Sequence, residues 1–249
     1  MYADGLARAH LIVDLDGTLY RGDAPIRWYA REIARSLGRA DAAALSASVE
    51  SYLDRSTTDP MLAGAVDGWG AVATLARDRY AVDPGAAAVA FLATRWALAT
   101  GDCKVAVPPG FADFLAQLRP AVRVTLATNS PADGLAELLS RLDVAAAFDE
   151  VISAAGKPAG LLRLLAEHGD PDRPWRTASI GDHWPNDIAP ALAVGAIGFY
   201  VDRFDRSDGP AHARGATVED LLSALRAWVD DAETFAHAGS APPAPVAGR

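Results

Sequence analysis

From Val107 onward the chain alternates short apolar runs with stretches whose apolar residues recur at helical spacing, and this alternation most narrows what it can fold into. Strands separated by amphipathic helices build a parallel sheet, because each new strand is reached by a crossover helix. The runs are Val122 to Thr128, Glu150 to Ser153, Thr177 to Gly181 and Ile197 to Val201, with helices expected to begin near Phe111, Pro131, Ala159, Asp187 and Val218. An earlier run, Leu11 to Asp14, belongs with them. Between it and the others, from Arg21 to about Thr100, there is no strand pattern, and Ile26, Ala30, Ile33 and Leu37 follow helical spacing. Asp59-Pro60 and Asp83-Pro84 each read as an N-cap with proline in the first turn. The expected fold class is α/β: a Rossmann-like parallel-sheet core over residues 1–20 and 106–230, with an inserted all-helical domain over 21–105. Residues 231–249, rich in Ala, Pro and Gly, are expected to be a disordered tail.

Ligands of an open parallel sheet sit beyond the carboxyl ends of its strands, and four polar sites fall there. HLIVDLDGTLY delivers Asp14 and Asp16 to the end of the first strand, with Gly17 and Thr18 turning the chain away. VRVTLATNS ends in Thr128, Asn129 and Ser130, and Ser130-Pro131-Ala132-Asp133 reads as a helix cap whose free N–H groups would favour phosphate. GKPAG places Lys157 at the start of the next helix, and GDHWPNDI adds Asp182 and Asp187. The chain has only two lysines, Lys104 and Lys157, against 21 arginines, so a lysine at a strand end invites a specific role. Several carboxylates in one crevice repel each other unless a cation intervenes, and oxygen donors beside a phosphate favour Mg2+.

The formal charge of -9 argues against a nucleic-acid partner, since no basic stripe is visible. No stretch approaches the roughly 20 apolar residues needed to span a bilayer, and no secretory leader pattern is seen, so no membrane partner and a cytoplasmic location are expected. The single cysteine, Cys103, has no neighbouring metal-ligand pattern and reads as a structural thiol.

The four segments, in order from Asp14 to Asp187, resemble the four sequence motifs of the haloacid dehalogenase (HAD) superfamily. With 114 positions between Asp14 and Thr128 but 29 between Thr128 and Lys157, the resemblance implies a helical C1-type cap over a HAD-like core. It further implies that Asp14 is a nucleophile forming an aspartyl phosphate and Asp16 a general acid and base. Thr128, Asn129 and Lys157 would hold the phosphate. Mg2+ would be held by Asp14, the Asp16 backbone carbonyl and Asp182, with Asp187 assisting directly or through water. His183 and Trp184 put a bulky pair where many relatives carry small residues, read here as packing under the cap.

Within the resemblance, Asp16 speaks against dehalogenation, because halide leaves without a proton whereas an alkoxide needs one. Phosphonate cleavage calls for a cap lysine, and the region Arg21 to Thr100 has none. The expected activity is Mg2+-dependent hydrolysis of a phosphomonoester, the partner being a small phosphorylated metabolite selected by the cap. A phosphomutase, or a non-catalytic phosphate-binding regulator on the same fold, stays open.

Overall fold

The computed structural model describes residues 8–118 and 121–238. Its contacts divide the chain into two compact units, one within Met1–Leu19, Pro108–Asn129 and Ala147–Arg249, the other comprising Tyr20–Val107 and Ser130–Ala146.

The first unit holds one sheet of six strands: β1 (Ala9–Val13), β2 (Val122–Ala127), β3 (Glu150–Ile152), β4 (Thr177–Gly181), β5 (Ile197–Val201) and β6 (Ala213–Gly215). Their order is β3-β2-β1-β4-β5-β6 and every pairing is parallel. β1 lies inside, and its Leu11, Ile12 and Val13 are buried because a strand with neighbours on both edges and helices on its faces must be apolar throughout. Ile12 packs with Ala127 of β2 and with Leu161, Leu164 and Leu165 of α7 (Ala159–His168). α5 (Phe111–Leu118) and α9 (Val218–Asp230) pack on each other and reach β2 and β5 respectively. Thr217 opens α9 with a capping box, its hydroxyl accepting from the Asp220 N–H while Asp220 accepts from the Thr217 N–H. The three-residue β6 was not expected. Ala-Arg-Gly carries no apolar run, and its strand character comes from pairing with β5.

Two expectations are corrected in the described residues. The next helix after β2 begins not at Pro131 but as α6 (Leu135–Arg141), because Gly134, at φ 70°, stands at its N-cap. The tail is helical over α10 (Ala232–Ala238), since Phe235 lays its ring 5.6 Å from that of Phe199 and Asp231 accepts the N–H and hydroxyl of Thr234. Residues 239–249 of the expected tail lie outside the described residues.

The second unit is built of helices, chiefly α1 (Ala24–Ala34), α2 (Arg39–Leu53), α3 (Gly68–Thr74) and α4 (Pro84–Thr100). Asp59 and Asp83 accept the N–H groups of Met61 and Ala86, the caps read from sequence. Leu45, Val49, Val72, Leu75 and Leu98 are buried in its interior, and the rings of buried Tyr29 and half-buried Trp69 and Phe91 cluster with centroids 5.3–5.8 Å apart. α6 groups with these helices rather than with the sheet, although the sequence reading put residues 130–146 in the core. The Arg141 guanidinium explains the grouping: its Nε donates to the Ala99 carbonyl at 3.0 Å, closing the C-terminus of α4 with a positive charge.

Candidate active site

In the central strands Val13 pairs with Leu126 on one side and Ile180 on the other, so the first residues past the register emerge together at one edge. Asp14 is fixed there by its N–H, which donates to the Ile180 carbonyl at 3.0 Å. The chain then turns at Gly17, with φ 85°, and a Cβ there would collide with the Asp182 carboxylate. The glycine of the Asp-Gly-Thr turn is thus required by conformation and by the approach of an acid from β4. Gly181 acts in the same way, since a Cβ would strike the Asp187 side chain lying against the end of β4.

Lys157 joins the strand ends. Its Nζ donates to Asp14 Oδ1 at 2.7 Å and to Asp187 Oδ1 at 2.6 Å, and all three residues are buried. The other Asp187 oxygen accepts the His183 N–H at 3.1 Å. Burial would lower the Lys157 pKa, but Asp14 and Asp187 override it and hold the ammonium protonated above its ordinary range. Burial pushes the Asp14 carboxyl up; Lys157 pulls it back and the charges of Asp187 and Asp16 add to the rise, leaving it at about 7.

Asp182 brings a third carboxylate. One oxygen from each of Asp14, Asp182 and Asp187 lies within 4.8 Å of the others. Two buried acids on one ammonium, with a third, half-buried, beside them, leave a surplus of negative charge, and an all-oxygen donor set suits a hard divalent ion, so these residues fit Mg2+. Asp16 is half-buried and its carboxylate is outside this group of three.

Thr128 is buried at the end of β2, its N–H on the Ile152 carbonyl and its carbonyl accepting from the Ala155 N–H. Asn129, expected to touch phosphate, has another engagement. Its Oδ1 accepts the Lys157 N–H at 2.7 Å and its Nδ2 donates to the Lys157 carbonyl at 3.0 Å. This two-bonded clamp sets the lysine's backbone, a task that 28 residues of separation kept hidden in the sequence. Trp184 is held within the sheet unit. Its indole lies over Gly209 and its Nε1 donates to the Pro210 carbonyl at 2.9 Å, both partners belonging to the sheet unit.

A family model described as haloacid dehalogenase-like hydrolase matches residues 9–195. No curated protein matches the chain. Among solved structures, similar folds include a phosphoglycolate phosphatase, assigned by prediction, of Haemophilus somnus 129pt, 15% identical with TM-score 0.61 over 88% of this chain and 98% of that one. The HAD-hydrolase YfnB of Bacillus subtilis, solved bound to magnesium, is 14% identical with TM-score 0.59 over 88% and 98%. A 2-haloacid dehalogenase of Pseudomonas syringae pv. Tomato DC3000 is 20% identical with TM-score 0.51 over 89% and 100%. At these identities the likeness concerns the fold alone.

Proposed function

The chain belongs to the haloacid dehalogenase-like hydrolase family, and from that membership we propose that it is a Mg2+-dependent phosphatase acting on a small phosphomonoester. The observation that carries this reading is the Lys157 ammonium held between Asp14 and Asp187 with Asp182 alongside. A metal-free displacement of halide has no need of Asp182 as a third carboxylate beside the two that Lys157 already balances. Solved folds of the same kind include one bound to magnesium and one assigned as a phosphatase, which agrees with the reading.

Asp14, Asp182 and Asp187 are the residues that would hold Mg2+, joined by the Asp16 carbonyl. When bound, the ion supplies positive charge against the phosphoryl oxygens. Asp14 attacks phosphorus in line and the phosphate ester bond breaks, giving an aspartyl phosphate. Asp16 gives its proton to the leaving oxygen, then accepts one from the water that attacks the intermediate. Lys157 and the Thr128 hydroxyl hold phosphoryl oxygens, Lys157 keeping its charge throughout. The helical unit is assigned the choice of leaving group.

The test is a panel of phosphorylated metabolites and of 2-haloacids, each assayed with Mg2+ and with EDTA. Phosphate release that EDTA abolishes and Mg2+ restores is expected. Halide release insensitive to EDTA would replace this reading with dehalogenation. The expected partner is a small soluble metabolite, and no helix among the described residues is long and apolar enough to cross a membrane.

A further inference from the structure

Trp184 is half-buried, and its indole is seated on the loop that joins β5 to β6. That loop is braced to hold one shape. Buried Asp202 accepts the N–H groups of Arg206 and Ser207 at 2.8 and 2.9 Å, while Asp208 accepts the Tyr200 hydroxyl at 2.9 Å and the Arg206 Nε at 3.1 Å. What the braced loop presents is Gly209 and Pro210. The Pro210 carbonyl accepts the indole N–H at 2.9 Å, and a Cβ at Gly209 would collide with the six-membered ring of the indole. Gly209 has no positive φ, so the ring, and not the backbone, is what requires glycine there.

A chain of contacts runs from this seat to the charged cluster. Trp184 opens the wide turn Trp184–Ile188, its carbonyl accepting the Ala189 N–H, and single turns of this kind are rare and recur at functional sites. One residue earlier, the His183 carbonyl accepts the Asn186 and Asp187 N–H groups, both at 2.9 Å, and the His183 N–H donates to Asp187 Oδ2 at 3.1 Å. Asp187 Oδ1 in turn accepts from Lys157 Nζ at 2.6 Å. A displaced indole therefore moves the His183 backbone, and with it the carboxylate that faces the lysine.

We infer that Trp184, seated on Gly209 and Pro210, is a positioning residue that sets the Asp187 carboxylate against Lys157, so that the β5–β6 loop shapes the reaction centre without touching it. The effect on turnover rests on the phosphatase reading. The effect on Lys157 does not, because the contacts from Gly209 to the ammonium are those of the protein alone.

Lys104 and Lys157 are the only lysines, so isotope labelling at lysine Cε gives two NMR signals, assigned with Lys104→Arg. In the metal-free protein, Trp184→Ala and Gly209→Ala should each shift the Lys157 signal and leave that of Lys104 in place. The double variant should match Trp184→Ala, because with the ring gone the added methyl meets nothing and the two changes do not add. Trp184→Phe keeps a ring but loses the N–H; it should give a smaller shift, and it replaces Trp184→Ala if that variant does not fold. Phe114→Leu, which loosens α5 without touching the seat, should move neither signal. With p-nitrophenyl phosphate and Mg2+, Trp184→Ala and Gly209→Ala should lose roughly 10-fold in kcat/KM, the scale of a misplaced group. An unshifted Lys157 signal in the Trp184 and Gly209 variants, an equal shift in Phe114→Leu, or a double variant shifted further than Trp184→Ala would overturn the inference. If the wild-type protein hydrolysed no phosphomonoester, the phosphatase reading would fall, and the Lys157 signal would still decide the role of Trp184.

Discussion

His10 and Asp14 lie four residues apart at the two ends of β1, both buried, and only Asp14 has an ammonium held against it. His10 places Nε2 2.9 Å from the Thr125 hydroxyl and meets the ring of His168 edge-on at 5.6 Å. Burial, reinforced by His168 and Arg123, brings its pKa down to about 4, so it sits in the sheet as a neutral ring. Asp14 enters a cluster whose lysine stays charged and whose acids outnumber it. The difference separates structure from function on one strand. Where only packing is at stake, burial neutralises the ionisable group. Where a ligand is to be met, burial still pushes the Asp14 carboxyl up, to about 7, but Lys157 opposes the rise and keeps its own charge despite the desolvation cost.

The largest effect expected is on turnover. Asp14→Asn and Lys157→Met should each lower kcat/KM on the order of 10³-fold or more, the scale of losing a nucleophile or a main electrostatic contact. A variant within tenfold of wild type would remove the reason for calling this end of β1 functional.

Stability sharpens the comparison next. Lys157→Met leaves the buried carboxylates of Asp14 and Asp187 facing each other and should cost about 3–5 kcal/mol in urea unfolding with EDTA present. Asp14→Asn should cost less than about 1 kcal/mol, since Lys157 keeps Asp187 and one buried charge is gone. Equal losses in the two variants would mean that the cluster is held by packing rather than by charge.

His10 predicts a pH effect of its own. Its folded pKa lies below the unfolded value of about 6.5, so the unfolded chain binds the extra proton between these limits. Stability from the neutral ring is complete above about pH 6.5, drains as pH falls and levels near pH 4. Between pH 6.5 and 5 the loss should be about 2 kcal/mol, and His10→Gln should flatten that part of the urea-unfolding profile. A variant with an unchanged profile would show that His10 takes up its proton in the fold. The smallest effect belongs to Asn129→Ala, which frees the Lys157 backbone and should lower kcat/KM by roughly 10-fold through misplacement, with little change in unfolding temperature.

Strand ends were legible in the sequence because apolar runs terminate abruptly in acids, as at Val13–Asp14 and Gly181–Asp182. The inserted helices were legible from Asp59-Pro60 and Asp83-Pro84, whose capping is local chemistry. What stayed hidden depends on contacts between distant residues. The Asn129 clamp on Lys157, the Trp184 seat on Gly209 and the Phe235 contact that orders α10 all join segments that no local pattern connects. α6 was misplaced for a local reason: Ser130-Pro131 resembles a cap, but the left-handed Gly134 delays the helix to Leu135.

Under the proposed function Asp14 is the nucleophile of a phosphoryl transfer organised by Lys157, Asp187 and Asp182. Acid quenching of the Asp16→Asn variant with Mg2+ and a labelled phosphomonoester whose leaving group departs without a proton is the direct test, because the variant then slows hydrolysis of the intermediate more than its formation and lets it accumulate. A covalently held phosphoryl group is expected, placed by peptide mapping on Asp14 and absent when Asp14→Asn is added. Label on any other residue, or turnover with no labelled protein at any quench time, would contradict it.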